Sequence, residues 1–463
     1  MSANLEPCQR CQELEKLLMK AFAEIEFLKK RVKELEDKLN TNSSNSSKPP
    51  SQDPFRASKK KTPTGKQQGG QKGHKGHSRQ LISVDQVKQV YDLRPSLCPE
   101  CLGDQFDPDV LATEVRQVVE LPDLPPEVIQ YNITTCKCSG CGKHVRADIP
   151  KEAKFGFGPR LMAFTTLLSG EFRLSKRNVV ALVSKLGIRI CSGSVCKIQA
   201  RAAAILEAPF EEIKKDTLVK GELNADESPW KTLAEKKWIW IGASKDSVFF
   251  KIHPRRSSEA FREIFVGFNG TLTTDRFGAY NSHEGRKQVC LAHADRDFEK
   301  ILSREGLDKW IGERLKGCLK EIFNLWHQFK NKEFDRRLLI QKFEEGLKDE
   351  MRMLLKIGAI GVGIGNKTHA TCLDFYDRFE NLWTFIYEER VEPTNNDAER
   401  GLRHAVIWRK LSFGTQSEIG ERFVERIMTV ALTLKMRAHN SFEYLTACFR
   451  SFIHGAQAPP LPA

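Results

Sequence analysis

At 463 residues, 40% of them hydrophobic, the chain is long enough for two or three domains and a sizeable core. Lys and Arg outnumber Asp and Glu by 74 to 60, a formal net charge of +14, which suits a polyanionic partner, nucleic acid by default. Thirteen cysteines at this length do not make a disulfide scaffold. No apolar run approaches the roughly 20 residues a bilayer needs, and no basic start precedes an apolar N-terminal core, so a cytoplasmic protein is expected.

Residues 1–40 read as a charged helix. Leu18, Ile25, Val32 and Leu39 fall at one core position of a heptad, and Leu14, Ala21, Leu28 and Leu35 at the other. That pattern favours a two-stranded parallel coiled coil, hence a homodimer, over a helix packed on its own chain. Cys8 and Cys11, with no second pair nearby, read as free thiols. Residues 41–80 are rich in Ser, Asn, Pro and Gly, a composition that cannot bury a core and is expected to be disordered when free. Between Lys48 and Arg79 this segment holds nine Lys or Arg against Asp53 alone. Lys59, Lys60, Lys61, Lys72 and Lys75 make it a candidate arm for DNA phosphates, although a solvated linker has the same composition.

Residues 81–150 carry Cys98-Pro-Glu-Cys101 and Cys138-Ser-Gly-Cys141, separated by 36 residues. Two Cys-x-x-Cys turns can place four thiolates for a structural, tetrahedral Zn²⁺. The spacing requires short strands between them, expected at 115–120 and 128–135, with Gly140 and Gly142 easing the turn. Cys136 is a competing ligand. Residues 151–215 read as helices. Those at 177–186 and 192–206, split by Gly187, fit equally a DNA-binding helix-turn-helix with Lys197 and Arg201 outward, or two helices packed on a sheet.

Residues 216–303 alternate strand and turn. A strand expected over 218–228 delivers Asp226 at its end; strands at 237–243 and 247–252, a helix at 258–265 and a strand at 270–274 follow, the last ending on Asp275. A further strand at 287–291 leads into a helix at 294–302. His293, Asp295 and Asp297 lie close behind Asp275; His293 and Asp297 read as supporting groups or as part of a polar helix start, with Asp297 a rival ligand, and Asp295 reads as a polar helix start. Residues 304–392 read as an all-helical insertion whose aromatics are core. Its Gly361-Val-Gly-Ile-Gly-Asn-Lys-Thr run has Asn366 where a phosphate loop needs Gly, so nucleotide binding is not expected. In 393–463, Thr394 or Asn395 caps a helix that carries Glu399 near its start, with Arg400, Arg403, Arg409 and Lys410 beyond it. Strand-end carboxylates joined by a third acid suit hard divalent cations, and two such ions about 3.5–4 Å apart stabilise both attacking and leaving oxygens of a phosphoryl transfer.

Asn224-Ala-Asp226-Glu-Ser228, Thr274-Asp275-Arg-Phe-Gly-Ala-Tyr280, Cys290-Leu-Ala-His293-Ala294 and Asn395-Asn-Asp-Ala-Glu399-Arg400 resemble, in order, the signatures of bacterial DDE transposases of the insertion-sequence-66 type. Ser46-Ser-Lys-Pro-Pro-Ser51 resembles that family's arm. The resemblance implies an α/β protein whose catalytic core is RNase H-like, with an all-helical insertion, an N-terminal coiled coil and a small zinc-binding module. It implies Asp226, Asp275 and Glu399 as ligands of Mg²⁺ (or Mn²⁺), the element's ends and target DNA as substrates, and accessory proteins of the same element. Two rivals stay open: a zinc-dependent DNA-binding regulator with an inactive core, and a nuclease that cuts without joining.

Overall fold

The computed structural model describes residues 9–40, 80–106, 112–121, 125–363 and 366–462. Two units divide the chain: residues 55–127, and residues 1–54 together with 128–463.

In the 55–127 unit the described residues form a short 3-10 turn, Val84–Gln86, and a tight turn at Cys98. The strand expected at 115–120 is absent; Gln117 instead bonds both the N–H and the carbonyl of Ile82 through its side-chain amide.

The second unit begins with α1 (Gln9–Asn40). Of its heptad positions, Leu18, Ile25, Leu28, Val32 and Leu35 are all exposed. A two-stranded hairpin follows, β1 (Thr135–Lys137) with β2 (His144–Arg146), paired antiparallel. Of the strand expected at 128–135, only Thr135 lies in this hairpin, with Thr134 O accepting from Ala147 N–H (3.0 Å) at its end; residues 128–133 are not strand.

Four helices then pack together: α2 (Pro159–Gly170), α3 (Lys176–Lys185), α4 (Ser192–Ile205) and α5 (Glu207–Leu218). Ser175 caps α3 through its hydroxyl, which accepts from Asn178 N–H at 3.2 Å, and Gly187 supplies the left-handed residue after it at φ +75°. Because α5 runs to Leu218, the expected strand at 218–228 starts later: Val219 is 74% exposed, and β3 spans Glu222–Thr232.

A five-stranded sheet is the centre of this unit. β3, β4 (Glu235–Ala243) and β5 (Val248–His253) form an antiparallel meander. After α6 (Ser258–Ile264), β6 (Thr271–Thr274) pairs parallel to β3, and β7 (Lys287–Val289) parallel to β6, giving the order β5-β4-β3-β6-β7. Alternation sorts the strand side chains between two faces. Ile239, Ile241, Val248, Phe250 and Ile252 join one core with α2–α5 and the C-terminal helices. Leu223, Ala225, Trp240, Phe249 and Leu272 join the other, under Ala260, Phe261 and Ile264 of α6.

The chain leaves β7 through α7 (Leu291–Leu302). It then builds a helical subdomain from α8 (Gly306–Lys330), α9 (Arg336–Lys342), α10 (Lys348–Ile360), α11 (Lys367–Asp377) and α12 (Thr384–Tyr387). This insertion's core takes Trp326, Phe375 and Trp383 as expected, with Phe323 and Phe329 partly buried against it, whereas Trp310, also expected there, is 46% exposed. It returns through α13 (Asn396–Ser412), α14 (Glu418–Met436) and α15 (Ser441–His454). Among the described residues no helix is long and apolar enough to cross a membrane.

Both sheet edges are covered, which removes open N–H rows that would template pairing with other chains. At β7, buried Gln288 donates to Leu382 O (2.9 Å) and accepts from Phe385 N (2.9 Å). At β5, one face of α14 takes alternate strand amides. Val248 N–H donates to Thr433 Oγ1 at 3.1 Å, Phe250 N–H to Thr429 Oγ1 at 3.0 Å and Ile252 N–H to Glu425 Oε1 at 2.7 Å. Acceptors four residues apart on a helix (~6 Å) match amides two apart on a strand (~6.6 Å). Replacing Thr429 by Val keeps shape and leaves the Phe250 N–H unpaired. It is expected to cost about 1–3 kcal/mol in a denaturant unfolding series. Stability equal to the parent would show that the side-chain acceptor is not what holds α14 on the edge.

Candidate active site at the open end of the β3–β6 pair

The parallel ladder between β3 and β6 stops at Asn224 and Thr273, whereas β3 continues to Thr232 with β4, joined at that end by a parallel bridge from Thr232 to Thr415. Asp226 therefore sits in mid-strand, not at the strand end expected from sequence, just past the point where its edge loses a partner. Asp275 directly follows β6.

Into this gap comes the segment before α13. Leu291 N–H donates to Pro393 O (2.8 Å), and Asn395 N–H to Cys290 Sγ (3.2 Å). The Asn395 Nδ2 group donates to Ala225 O (2.8 Å). Asn395 is the N-cap of α13, but its side chain crosses to β3 instead of capping the helix as expected. Its carbonyl accepts from Glu399 N–H at 3.1 Å, and Glu399 lies in the first turn.

The three acids meet electrostatically. Asp226 keeps partial access to solvent, yet burial, followed by the negative charges of Glu227, Asp275 and Glu399, pushes its carboxyl well above the usual carboxylate range. Its Oδ1 accepts from Glu227 N–H (2.8 Å), and Asp275 Oδ1 accepts from Phe277 N–H (2.9 Å). Glu399 faces His293 Nδ1 at 3.6 Å and Arg296 at 3.8 Å; its Oε1 is buried without a hydrogen-bond partner, as is His293 Nδ1. An orphaned carboxylate oxygen beside two further acids suits a hard divalent cation.

Neighbouring acids have other roles. Glu227, 8% exposed on the opposite side of β3 from Asp226, accepts from Arg256 Nε (2.7 Å) and from Tyr280 OH. Burial raises the Glu227 carboxyl, so it is a structural acid and not an inert bystander. Asp297, the rival ligand, pairs with Arg276 and with Lys300 (2.7 Å). Arg276 also pairs with Asp374 and lies over the Phe375 ring at 3.9 Å, anchoring the insertion beside Asp275. Asp397 is paired with Arg400 at 2.6 Å.

Cys290 Sγ, His293 Nδ1 and a Glu399 oxygen lie within 4.8 Å of one another. The sequence marks this cluster only by the Cys-x-x-His spacing. Burial pushes the Cys290 thiol up to about 11, and it already accepts an N–H, so a soft metal there would compete with both.

The basic candidates scatter. Lys59, Lys60, Lys61, Lys72 and Lys75 lie outside the described residues. Lys197, Arg403 and Lys410 are exposed. Arg201 lies over the Phe155 ring at 5.1 Å. Further along the chain, Glu421 pairs with Lys237 (2.7 Å), Glu425 with Lys251 (3.1 Å) and Glu418 with Arg422 (3.8 Å). α3 and α4 bury Val179, Val183, Val195, Ile198 and Ala202 in the core shared with the sheet.

Each Cys-x-x-Cys turn has the same local build. Cys98 N–H donates to Gly103 O (2.8 Å) and Leu102 N–H to Cys98 O (2.9 Å). Cys138 N–H donates to Lys143 O (2.7 Å) and Gly142 N–H to Cys138 O (2.8 Å). The fourth residue past each first cysteine has positive φ, +60° at Leu102 and +73° at Gly142. Backbone N–H groups, of Cys101 first for Cys98 and of Cys141 first for Cys138, hold both leading thiols below their usual range. Cys101, Cys138, Cys141 and the competing Cys136 are exposed free thiols.

The site is thus two acids at one open end of a sheet, met by a third from a later helix. The profile of the Transposase IS66 family matches residues 154–422, from α2 into α14, and the chain belongs to that family. Residues 5–80 match a second profile, a family of unknown function (DUF6444). The uncharacterized protein y4qI of Sinorhizobium fredii (strain NBRC 101917 / NGR234) is 24% identical over 270 residues, 52% of this chain. The chain spans about half the length of that curated relative, 49%.

The raised Asp226 carboxyl sets a pH dependence. A folded-state pKa above the unfolded one favours folding below the unfolded value, and that contribution is lost as pH rises through the folded value. In buffer free of Mg²⁺ and Mn²⁺, Asp226→Asn should therefore become more stable than the parent as pH is raised from about 4 to about 8. Thermal unfolding of both proteins across that range checks it; a parent more stable than the variant at the alkaline end would refute it.

Proposed function

We propose that the chain is a DDE transposase. It binds the ends of its mobile element, cuts a strand there with water as nucleophile, and joins the freed 3′-hydroxyl to target DNA. The observation that carries the reading is the convergence of Asp226, Asp275 and Glu399: burial first, then the charges of Glu227, Asp275 and Glu399, push the Asp226 carboxyl upward. Its fold is read as an RNase H-like core in 216–303 and 393–463, interrupted by the insertion 304–392.

Mg²⁺ or Mn²⁺, when bound, would polarise the scissile phosphate and stabilise the attacking and leaving oxygens. Asp226 and Asp275 would hold the ions from the sheet and Glu399 from the first turn of α13. Like charges crowded in one place bind protons until a dication replaces them, so metal uptake at this site releases protons. In the first step the water oxygen bonds to phosphorus as the P–O3′ bond breaks and the 3′-oxygen gains a proton. In the second the freed 3′-hydroxyl oxygen bonds to a target phosphorus as that target P–O3′ bond breaks, and the departing target 3′-oxygen takes up the proton that the hydroxyl gives up. Lys197, Arg403, Lys410 and the arm lysines Lys59, Lys60, Lys61, Lys72 and Lys75 would neutralise phosphates. Arg201 and Arg400 would join them only by leaving Phe155 and Asp397.

The assay uses labelled element ends, target DNA and Mg²⁺. Asp226→Asn, Asp275→Asn and Glu399→Gln should each lose roughly a hundredfold or more in nicking and joining, because each removes a charged metal ligand. DNA binding should stay near the parent's, and Asp397→Asn should stay active. Nicks without joined products would favour a simple nuclease, and binding without either a regulator. Normal cutting by all three variants would overturn the proposal.

The coiled coil and the zinc module are part of the same reading. The exposed α1 seam supports a homodimer. The duplicated knuckle build supports one Zn²⁺ on Cys98, Cys101, Cys138 and Cys141. A single reduced preparation tests both. Metal analysis should find about one Zn²⁺ per chain, and light scattering a dimer mass that Ile25→Asp with Val32→Asp reduces to a monomer. Zinc-free protein, or a monomeric parent, would refute the corresponding part.

A further inference from the structure

We propose that Asn395 is the positioning residue that sets the third carboxylate against the other two. The inference rests on the metal-site reading above and deepens it. Asn395 is 1% exposed and touches all three segments of the site. Its Nδ2 group holds Ala225 O, one residue before Asp226; its N–H holds Cys290 Sγ, at the start of α7; its carbonyl takes the N–H of Glu399. Cys290 N–H in turn donates to Thr274 O (2.8 Å), one residue before Asp275. Asp226 is thus one residue from a group that Asn395 holds, Glu399 is bonded to it directly, and Asp275 is reached through Cys290 and Thr274.

No other polar side chain described at the site spans β3 and α13 in this way, and the geometry explains its chemistry. Ala225 O faces the gap left where β6 ends, so an unpaired carbonyl would otherwise be buried there. A main-chain carbonyl accepts only, so Asp or an apolar side chain at 395 cannot replace the donor. The length matters as well. Gln would push α13 away from β3 by one methylene, and Ser would fall short. Asn395 Oδ1 is itself buried without a partner, so the residue is held by what its amide donates. Because the brace fixes backbone on both sides of the site, its loss should loosen the spacing of the acids without changing their number.

The test is Mn²⁺ binding by full-length protein, followed through the free-ion electron paramagnetic resonance signal. Parent, Asn395→Leu, Asn395→Ser, the neighbouring exposed Asn396→Ala and Glu399→Gln are compared, each with thermal unfolding and the strand-cleavage assay. Asn395→Leu and Asn395→Ser should bind Mn²⁺ roughly tenfold more weakly, as loss of groups that orient metal ligands does. Their half-saturating Mg²⁺ for cleavage should rise in parallel, and excess Mn²⁺ should restore most of the rate. Asn396→Ala should match the parent in both readouts. A folded Asn395 variant with parental Mn²⁺ affinity would overturn the proposal, as would an activity loss that tracks the unfolding temperature and that metal does not rescue. If Asn395→Leu fails to fold, the smaller Ser variant decides. Full cleavage by Glu399→Gln would instead sink the assignment of the triad, whatever the Asn395 variants do.

Discussion

The constraint on which the rest depends is the cost of gathering carboxylates where water is scarce. Asp226 feels Glu227, Asp275 and Glu399 together, and its charged form is disfavoured by all of them and by burial. A protein selected only for stability would separate these groups. Here they are held together by backbone and neutral side chains: the β3–β6 ladder places the two aspartates, and Asn395 with Pro393 brings in the glutamate. The cations nearest Glu399 stay beyond hydrogen-bonding distance, Arg296 at 3.8 Å. Glu399 Oε1 is left buried without a hydrogen-bond partner.

The remaining acids show how the potential is confined. Glu227 is one residue from Asp226, but strand alternation turns it to the other side, where Arg256 and Tyr280 satisfy it. Asp297 is drawn off by Arg276 and Lys300. Arg276 does double duty, since its second partner, Asp374, belongs to the insertion. The insertion is thereby tied to the residue next to Asp275, and its 379–387 stretch also covers the β7 edge through Gln288. A helical subdomain between the second and third acids can stay in register with the site because it is anchored at both places.

α14 performs the matching task at the other edge. Glu425, Thr429 and Thr433 lie one turn apart and meet alternate amides of β5, so a helix substitutes for a sixth strand. The same arrangement puts a carboxylate, Glu425, into the core with Lys251 as its partner at 3.1 Å, and burial raises its carboxyl. Edge coverage on both sides lets the sheet keep one opening, between β3 and β6, where the acids lie.

Much of this was legible in the sequence. Apolar alternation located β4, β5 and β6 within a residue or two, and the helical insertion followed from its periodicity and length. The two Cys-x-x-Cys turns were readable because a knuckle is a local structure of a few residues. Asp226, Asp275 and Glu399 were singled out from their motifs, and the family match agrees with the resemblance those motifs carry. Local sequence did not determine where β3 begins, since Leu218 and Val219 are apolar enough for a strand but complete a helix. Nor did it show that Asp226 lies in mid-strand, because the β3–β6 ladder that ends before it pairs residues 49 positions apart, Glu222 with Thr271 through Asn224 with Thr273. It marked Asn395 as a helix cap by propensity, whereas the tertiary fold offered its amide the Ala225 carbonyl instead. Propensity and periodicity report on neighbours in the chain. Asn395 with Ala225 and Cys290, Glu227 with Tyr280, and Arg276 with Asp374 are set by packing between segments 53 to 170 residues apart, which only the assembled core decides.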